Sequence, residues 1–347
     1  MTATDREGPG SVEVVRGSLV ESRHAVTVAV VDADGQLVHR VGDPDRLITY
    51  MRSAAKPLQA LAAVEAGVLE AYGLDERALA MMCASHSGTP LHTQIVADML
   101  ERIGLGPQYL QCGAHWPYHG PTADAMRRRG EEPTALHSNC SGKHAGMLAF
   151  SRHLGADVAT YRRPEHPVQR RIRALVSALT GTPEEALVLA VDGCGVPVFG
   201  LSVTAMATAF ARLGAGRALD DRRAAAARRI AGAMRAEPEL VAGPGRFDTI
   251  LMESLRGRVV AKTGAEGVQC LALPERGLGV ALKVHDGSAR AAAPATLETL
   301  DLLGVLAEPE RQALGSLRQP VVRNVAGDAV GEIRCQLSLR KVGSRAG

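Results

Sequence analysis

The chain has 347 residues, 46% hydrophobic and 22% charged, the balance of a globular protein with ample material for a core. A formal net charge of +3 and only 3% aromatic residues exclude a strongly basic protein that stacks on unpaired bases. No apolar run approaches the ~20 residues of a membrane helix, and the start MTATDREGPGSVEVVRGS lacks the layout of a secretory signal. A cytoplasmic protein is therefore expected, with no membrane or nucleic-acid partner and with its six cysteines reduced.

Taken in chain order, Ala25–Val31 reads as a buried strand followed by a turn at Asp32–Gly35. Ser53–Ala66 is predicted as a helix with an apolar face through Leu58, Leu61 and Ala62, stopping near Gly67. Thr89 is the expected N-cap of the next helix, with Pro90 in its first position and a stripe of Leu91, Ile95, Met99 and Ile103. Further helices are expected at Lys143–His153, Pro167–Leu179, Leu201–Leu213 and Asp221–Ala236. Strands are expected at Leu187–Val191, Val259–Thr263, Val268–Leu273 and Gly279–Val284, the last three spaced as an antiparallel meander. Helices gather in the middle and strands near both ends, so the two ends should share one sheet. The pattern predicts a mixed α+β fold, a largely antiparallel sheet packed with helices, as a single domain over residues 12–340 with tails at 1–11 and 341–347. The arginine clusters at 127–129, 170–173 and 222–229 read as solvated helix faces.

Only five of the 40 basic residues are lysine: Lys56, Lys143, Lys262, Lys283 and Lys341. A chain that uses arginine wherever a surface cation will serve keeps lysine where a compact amine able to lose its proton is needed.

Ser53-Ala54-Ala55-Lys56 sets a hydroxyl and an amine three residues apart, on one face of a helix. A neutral lysine there can take the serine proton and release a nucleophile for acyl transfer. The same spacing recurs at Ser338-Leu339-Arg340-Lys341, in a polar context to which no function is assigned. Lys262-Thr263-Gly264 closes a β-branched strand, and such a strand beside a Ser-x-x-Lys helix is the pairing of serine β-lactamases. Cys83-Ala84-Ser85-His86-Ser87-Gly88 is a hydroxyl-rich loop before the Thr89 cap, readable also as an ordinary polar turn. Ser138-Asn139-Cys140-Ser141-Gly142-Lys143-His144 puts a thiol and an amine one turn apart at a helix start, and Asp192-Gly193-Cys194-Gly195 puts a second thiol between glycines. Cys140 and Cys194 suit a Zn²⁺ site with an open position, a nucleophilic Cys140, or two small buried thiols. Cys112 and His115 have a metal-like spacing without a second pair.

Together, RSAAKPLQAL, CASHSG, SNCSGKHAGML, DGCGVPVF, AKTGAEGV and KVHDGSARA, in this order, resemble the rhizobial-type L-asparaginases, the asparaginase II family. The resemblance runs from about Val12 to Cys335. It implies hydrolysis of L-asparagine to L-aspartate and ammonia, a serine β-lactamase/glutaminase-like fold and a homodimer. It also implies two serine–lysine pairs, Ser53 with Lys56 and Ser85 with Lys262, and a zinc ion held by Cys140, Lys143 and Cys194. Ser87 stands where the family pattern has an amide, and Thr263 is a second departure; both bear on substrate preference. Other serine acyl-hydrolysis, of glutamine or a lactam, and a non-catalytic zinc-binding role are the alternatives.

Overall fold

The computed structural model describes residues 8–342. Its contacts divide the chain into two compact units. Among the described residues, one contains 8–54, Leu201–Ala215 and 254–342; the other contains Ala55–Gly200 and Gly216–Glu253.

The first unit is built on a nine-stranded sheet. Its main path runs Val321–Arg323, Ala329–Gln336, Gly10–Arg16, Leu19–Asp32, Leu278–Val284, Val268–Leu273 and Val260–Gly264. Leu37–Val41 also pairs with Leu19–Asp32, and Arg340–Lys341 pairs with Leu37–Val41. Every one of these pairings is antiparallel. The long strand Leu19–Asp32 is buried throughout from Val26 to Val31, because the Val203–Ala215 helix packs on it and on its neighbours. That continuous burial explains a β-branched run without polar alternation. The Ala289–Leu302 helix packs on the same sheet.

Gly279 shows how closely the Val203–Ala215 helix approaches. A Cβ there would sit 2.0 Å from the Ala207 carbonyl oxygen and 2.4 Å from the Ala211 nitrogen, both backbone atoms that cannot swing aside. Gly279→Ala is expected to cost about 1–3 kcal/mol by overpacking, read as a lower denaturation midpoint with an unchanged slope. An unchanged midpoint would show that helix and strand separate freely.

The second unit is helical. Lys56–Glu65 lies against Ser141–His153, Pro167–Thr180 and Asp221–Ala236 and is buried from Lys56 to Val64. A helix covered on all sides carries no polar stripe, which is why this segment is rich in alanine and leucine. Ser141–His153 also crosses Glu76–Met82 at short range: a Cβ on Gly142 would lie 2.2 Å from the Met81 carbonyl oxygen, and one on Gly146 would lie 2.7 Å from Met82 Cε.

The expected meander is present as Val260–Gly264, Val268–Leu273 and Leu278–Val284, and Asp221–Ala236 is helical over the expected span. Thr89 caps Pro90–Arg102, its hydroxyl accepting from the His92 N–H. The helix expected from Ser53 starts instead as a 3₁₀ turn, Arg52–Ala55, and becomes α at Lys56. Pro57, lacking an N–H, fits only the first α turn and so fixes that start. Gly10 and Ser11, expected in a tail, pair in the sheet, Ser11 opposite Gln336; Lys341 likewise lies opposite His39. Main-chain bonding at a sheet edge captures such residues whatever their side chains. Among the described residues no helix is long and apolar enough to cross a membrane.

Candidate active site

Within the helical unit, Lys56 is the residue around which polar groups gather. It is 1% exposed. Its amine donates to the Ala84 carbonyl at 2.6 Å, to Ser85 Oγ at 3.0 Å and to the Asn139 carbonyl at 3.1 Å. Three ammonium protons thus meet three acceptors. Burial lowers the amine's pKa from its usual value, an effect partly offset by negative charge on Cys140. Two of the three partners are carbonyls, which can only accept. Once the amine is neutral, Ser85 is therefore the one of these three groups able to hand it a proton.

The loop carrying Ser85 is fixed on both sides. The Ser85 N–H donates to the Val241 carbonyl at 2.8 Å, and the Ser87 hydroxyl donates to the Ala242 carbonyl at 2.8 Å. His86 Nδ1 accepts from the Gly88 N–H at 3.1 Å, which leaves Nε2 to donate to Ser141 Oγ at 2.8 Å. Ser141 in turn donates to the Leu136 carbonyl at 3.0 Å. Burial keeps His86 well below its usual pKa, so it is a neutral strut joining the loop to the helix start that bears Cys140. His115 plays a similar part behind Asn139: its Nε2 accepts from the Asn139 N–H at 2.9 Å and its Nδ1 lies 2.8 Å from the Trp116 carbonyl. Both ring nitrogens are thus taken by backbone, and Cys112 Sγ lies 3.6 Å from the Ala135 carbonyl oxygen. Cys112 and His115 are thus both engaged with backbone groups.

The two thiols meet. Cys140 is the N-cap of Ser141–His153, and Cys194 sits in the turn after Val188–Val191, closed by an Asp192 N–H to Val196 carbonyl bond of 2.9 Å. Lys143 Nζ donates to Cys194 Sγ at 2.9 Å. A hydrogen bond from Cys194, with the Lys56 and Lys143 charges, holds the Cys140 thiol well below its ordinary pKa, and that same bond pushes Cys194 upward. Burial alone would lower Lys143, but the two sulfurs overcome it and keep the amine protonated. The place of Cys140 at a helix N-terminus acts in the same direction on its thiol.

Two soft sulfurs and an amine in mutual contact fit a zinc ion, whose charge would take the place of the ammonium proton. Among the described residues no group of three or more His, Cys, Asp or Glu gathers, so the amine is needed as third donor. His144 lies next in sequence, but its Nδ1 bonds the Tyr161 hydroxyl at 2.6 Å, and its Nε2 has no hydrogen-bond partner among the described residues.

Ser53 and Lys262 belong to the sheet unit. Ser53, half-buried, sits in the Arg52–Ala55 turn just after Arg52, whose φ of 51° is left-handed. Lys262 is fully buried in Val260–Gly264 and donates to the Thr263 carbonyl at 2.8 Å. Thr263 donates to Gln269 Oε1 at 2.7 Å. Four of the five lysines are buried: Lys56 at 1%, Lys143 at 3%, Lys262 at 0% and Lys283 at 7% exposure. Lys283 spends its protons on the Glu266, Val284 and His285 carbonyls, a purely structural use. Asn139, His86 and Ser141 were not anticipated as site residues, although they stand inside SNCSGKH and CASHSG; their spacing to a charged partner across the fold is invisible in one sequence.

A buried amine against a hydroxyl is the equipment of proton and acyl transfer. The chain belongs to the L-asparaginase II family, whose family model matches residues 12–335. Among curated proteins none matches it. Among solved structures it is similar to Mglu in its native form in 4.3 M NaCl, at 14% identity and a TM-score of 0.47, covering 81% of this chain and 62% of that one. It is also similar to a β-lactamase from Mycobacterium bovis, at 16% identity and a TM-score of 0.43, covering 81% and 95%. The chain thus spans less than two thirds of the length of Mglu.

Proposed function

We propose that the protein hydrolyses the side-chain amide of L-asparagine, giving L-aspartate and ammonia. Family membership supports the reaction class. The observation that carries the chemistry is the Lys56 amine 3.0 Å from Ser85 Oγ in a buried site. A serine oxygen attacks the amide carbon and its proton passes to lysine; the proton then goes to the leaving nitrogen, the C–N bond breaks, and water hydrolyses the resulting ester. Lys56 is the base and Ser85 its hydroxyl partner. Ser53, as the attacking oxygen, and Lys262, as second amine, are added on their motif match alone, and the Ser53 N–H is the proposed oxyanion donor.

Cys140, Lys143 and Cys194 would hold zinc, which when bound would supply a fixed positive charge. Meanwhile the Cys140 thiolate and the Lys143 ammonium set the local field felt by Lys56. A homodimer in the cytoplasm is part of the same reading and rests on the family resemblance.

The test is ammonia release from L-asparagine by purified protein, compared with L-glutamine and a chromogenic lactam. L-asparagine should be preferred, and Ser85→Ala should lower its turnover at least about a hundredfold, the smaller end of general acid–base effects. Preference for the lactam, or full activity of folded Ser85→Ala, would overturn the reading. Mass spectrometry of quenched enzyme then shows whether the acyl group sits on Ser53 or Ser85.

A further inference from the structure

Ser338-Leu339-Arg340-Lys341, the segment that only imitates a serine–lysine motif, borders a cavity of about 320 Å³ in the sheet unit. Gln336, Ser338 and Arg340 all line it, as does Arg40. Arg340 and Arg40 are directly opposite in the antiparallel ladder between Arg340–Lys341 and Leu37–Val41. Opposed residues in such a ladder project to the same face, and like charges placed there repel. Arg40 forms no ion pair among the described residues, and none of the residues lining the cavity is a carboxylate. Gly10 and Gly42 are also among the residues of its wall, and Gly42 has a left-handed φ of 69°. Backbone without side chains lets a ligand's oxygens approach closely.

We propose that this cavity binds the phosphate group of a small soluble phosphate ester. Two guanidinium groups held side by side offer paired N–H donors matched to phosphate oxygens. The Ser338 hydroxyl and the Gln336 amide add neutral donors from the same face. The volume is larger than phosphate alone requires and falls at the lower end of small-molecule sites, which leaves room for the esterified body. None of these residues belongs to the serine, lysine and cysteine set, so the inference stands or falls independently of amide hydrolysis.

The test uses the full chain. Adenosine monophosphate and inorganic phosphate are titrated by isothermal calorimetry at physiological salt, against wild type, Arg40→Gln, Arg340→Gln and, as control, the exposed Arg128→Gln. Wild type and the control should bind adenosine monophosphate at one saturable site and more tightly than phosphate. Each cavity variant should bind at least about tenfold more weakly, the loss of one charge-assisted contact, with an unchanged circular dichroism spectrum. Flat wild-type titrations, or folded variants that bind as well as wild type, would overturn the site. Co-sedimentation with phosphatidic acid vesicles in the absence of adenosine monophosphate binding would overturn the soluble ester in favour of a lipid headgroup.

Discussion

Lys56→Arg should lower ammonia release from L-asparagine by about 10²–10⁴-fold, the span of general acid–base catalysis. The substitution keeps the cation but removes the neutral form, since a guanidinium cannot give up its proton in a protein. The site adds a second reason. Lys56 places three donors on three acceptors in a volume that leaves it 1% exposed. A guanidinium would bring five N–H groups there, with no further acceptor shown for them. Circular dichroism and the denaturation midpoint separate lost chemistry from lost packing. Lys56→Ala supplies a further check, because a small external amine entering the vacated space should restore part of its turnover. Lys341→Arg, on an exposed strand pair, should change nothing. Near-wild-type rates in folded Lys56→Arg would reduce Lys56 to a fixed charge and remove the serine–lysine proposal.

Cys140→Ala should abolish metal binding. Wild-type protein is expected to carry close to one zinc per chain by elemental mass spectrometry, and the variant essentially none. Cys335→Ala, whose thiol is in the Ala329–Gln336 strand of the sheet, should retain it. Cys140 is the ligand to remove because it opens the Ser141–His153 helix, whose N-terminus favours the thiolate form a zinc ion requires. Removing it also removes the negative charge that raises the Lys56 pKa, which favours the neutral amine and should move the acid limb of the pH–rate profile to lower pH. Equal zinc in wild type and Cys140→Ala would dismiss the site whatever the activity.

The parts of the fold legible in the sequence are those where local pattern and final environment agree. Val268–Leu273 and Asp221–Ala236 are of this kind: one is an apolar run under complete cover, the other has an acidic cap and an apolar stripe. Gly10–Arg16 was not legible. It carries Glu13, 5% exposed, whose carboxylate accepts from Arg23 and Arg334; a charge paired across three strands reads in sequence as a solvated residue. In the site, scarcity of lysine marked the amines, and four of the five are indeed buried. It did not mark the Ala84 and Asn139 carbonyls that Lys56 meets, nor the contact of Lys56 with Ser85, which the family resemblance pairs with Lys262. That contact depends on how the Cys83–Gly88 loop settles against Val241 and Ser141, a tertiary matter.

The strand pairing of Ser11 with Gln336 has a consequence for how the protein is made. The N-terminal strands leave the ribosome first, but Gly10–Arg16 and Leu19–Asp32 take as partners Ala329–Gln336 and Leu278–Val284, which are synthesised last. At about 5–20 residues per second the wait is on the order of tens of seconds. During it a valine-rich hairpin has open edges, the condition under which nascent chains aggregate or recruit chaperones. The helical unit, drawn from Ala55–Gly200 and Gly216–Glu253, has all its partners by the time Glu253 emerges. Lys56, Ser85 and the two thiols can therefore assemble on a chain whose sheet is still unfinished. Slow translation through residues 254–336 should then lower the yield of soluble protein more than slow translation through the helical unit.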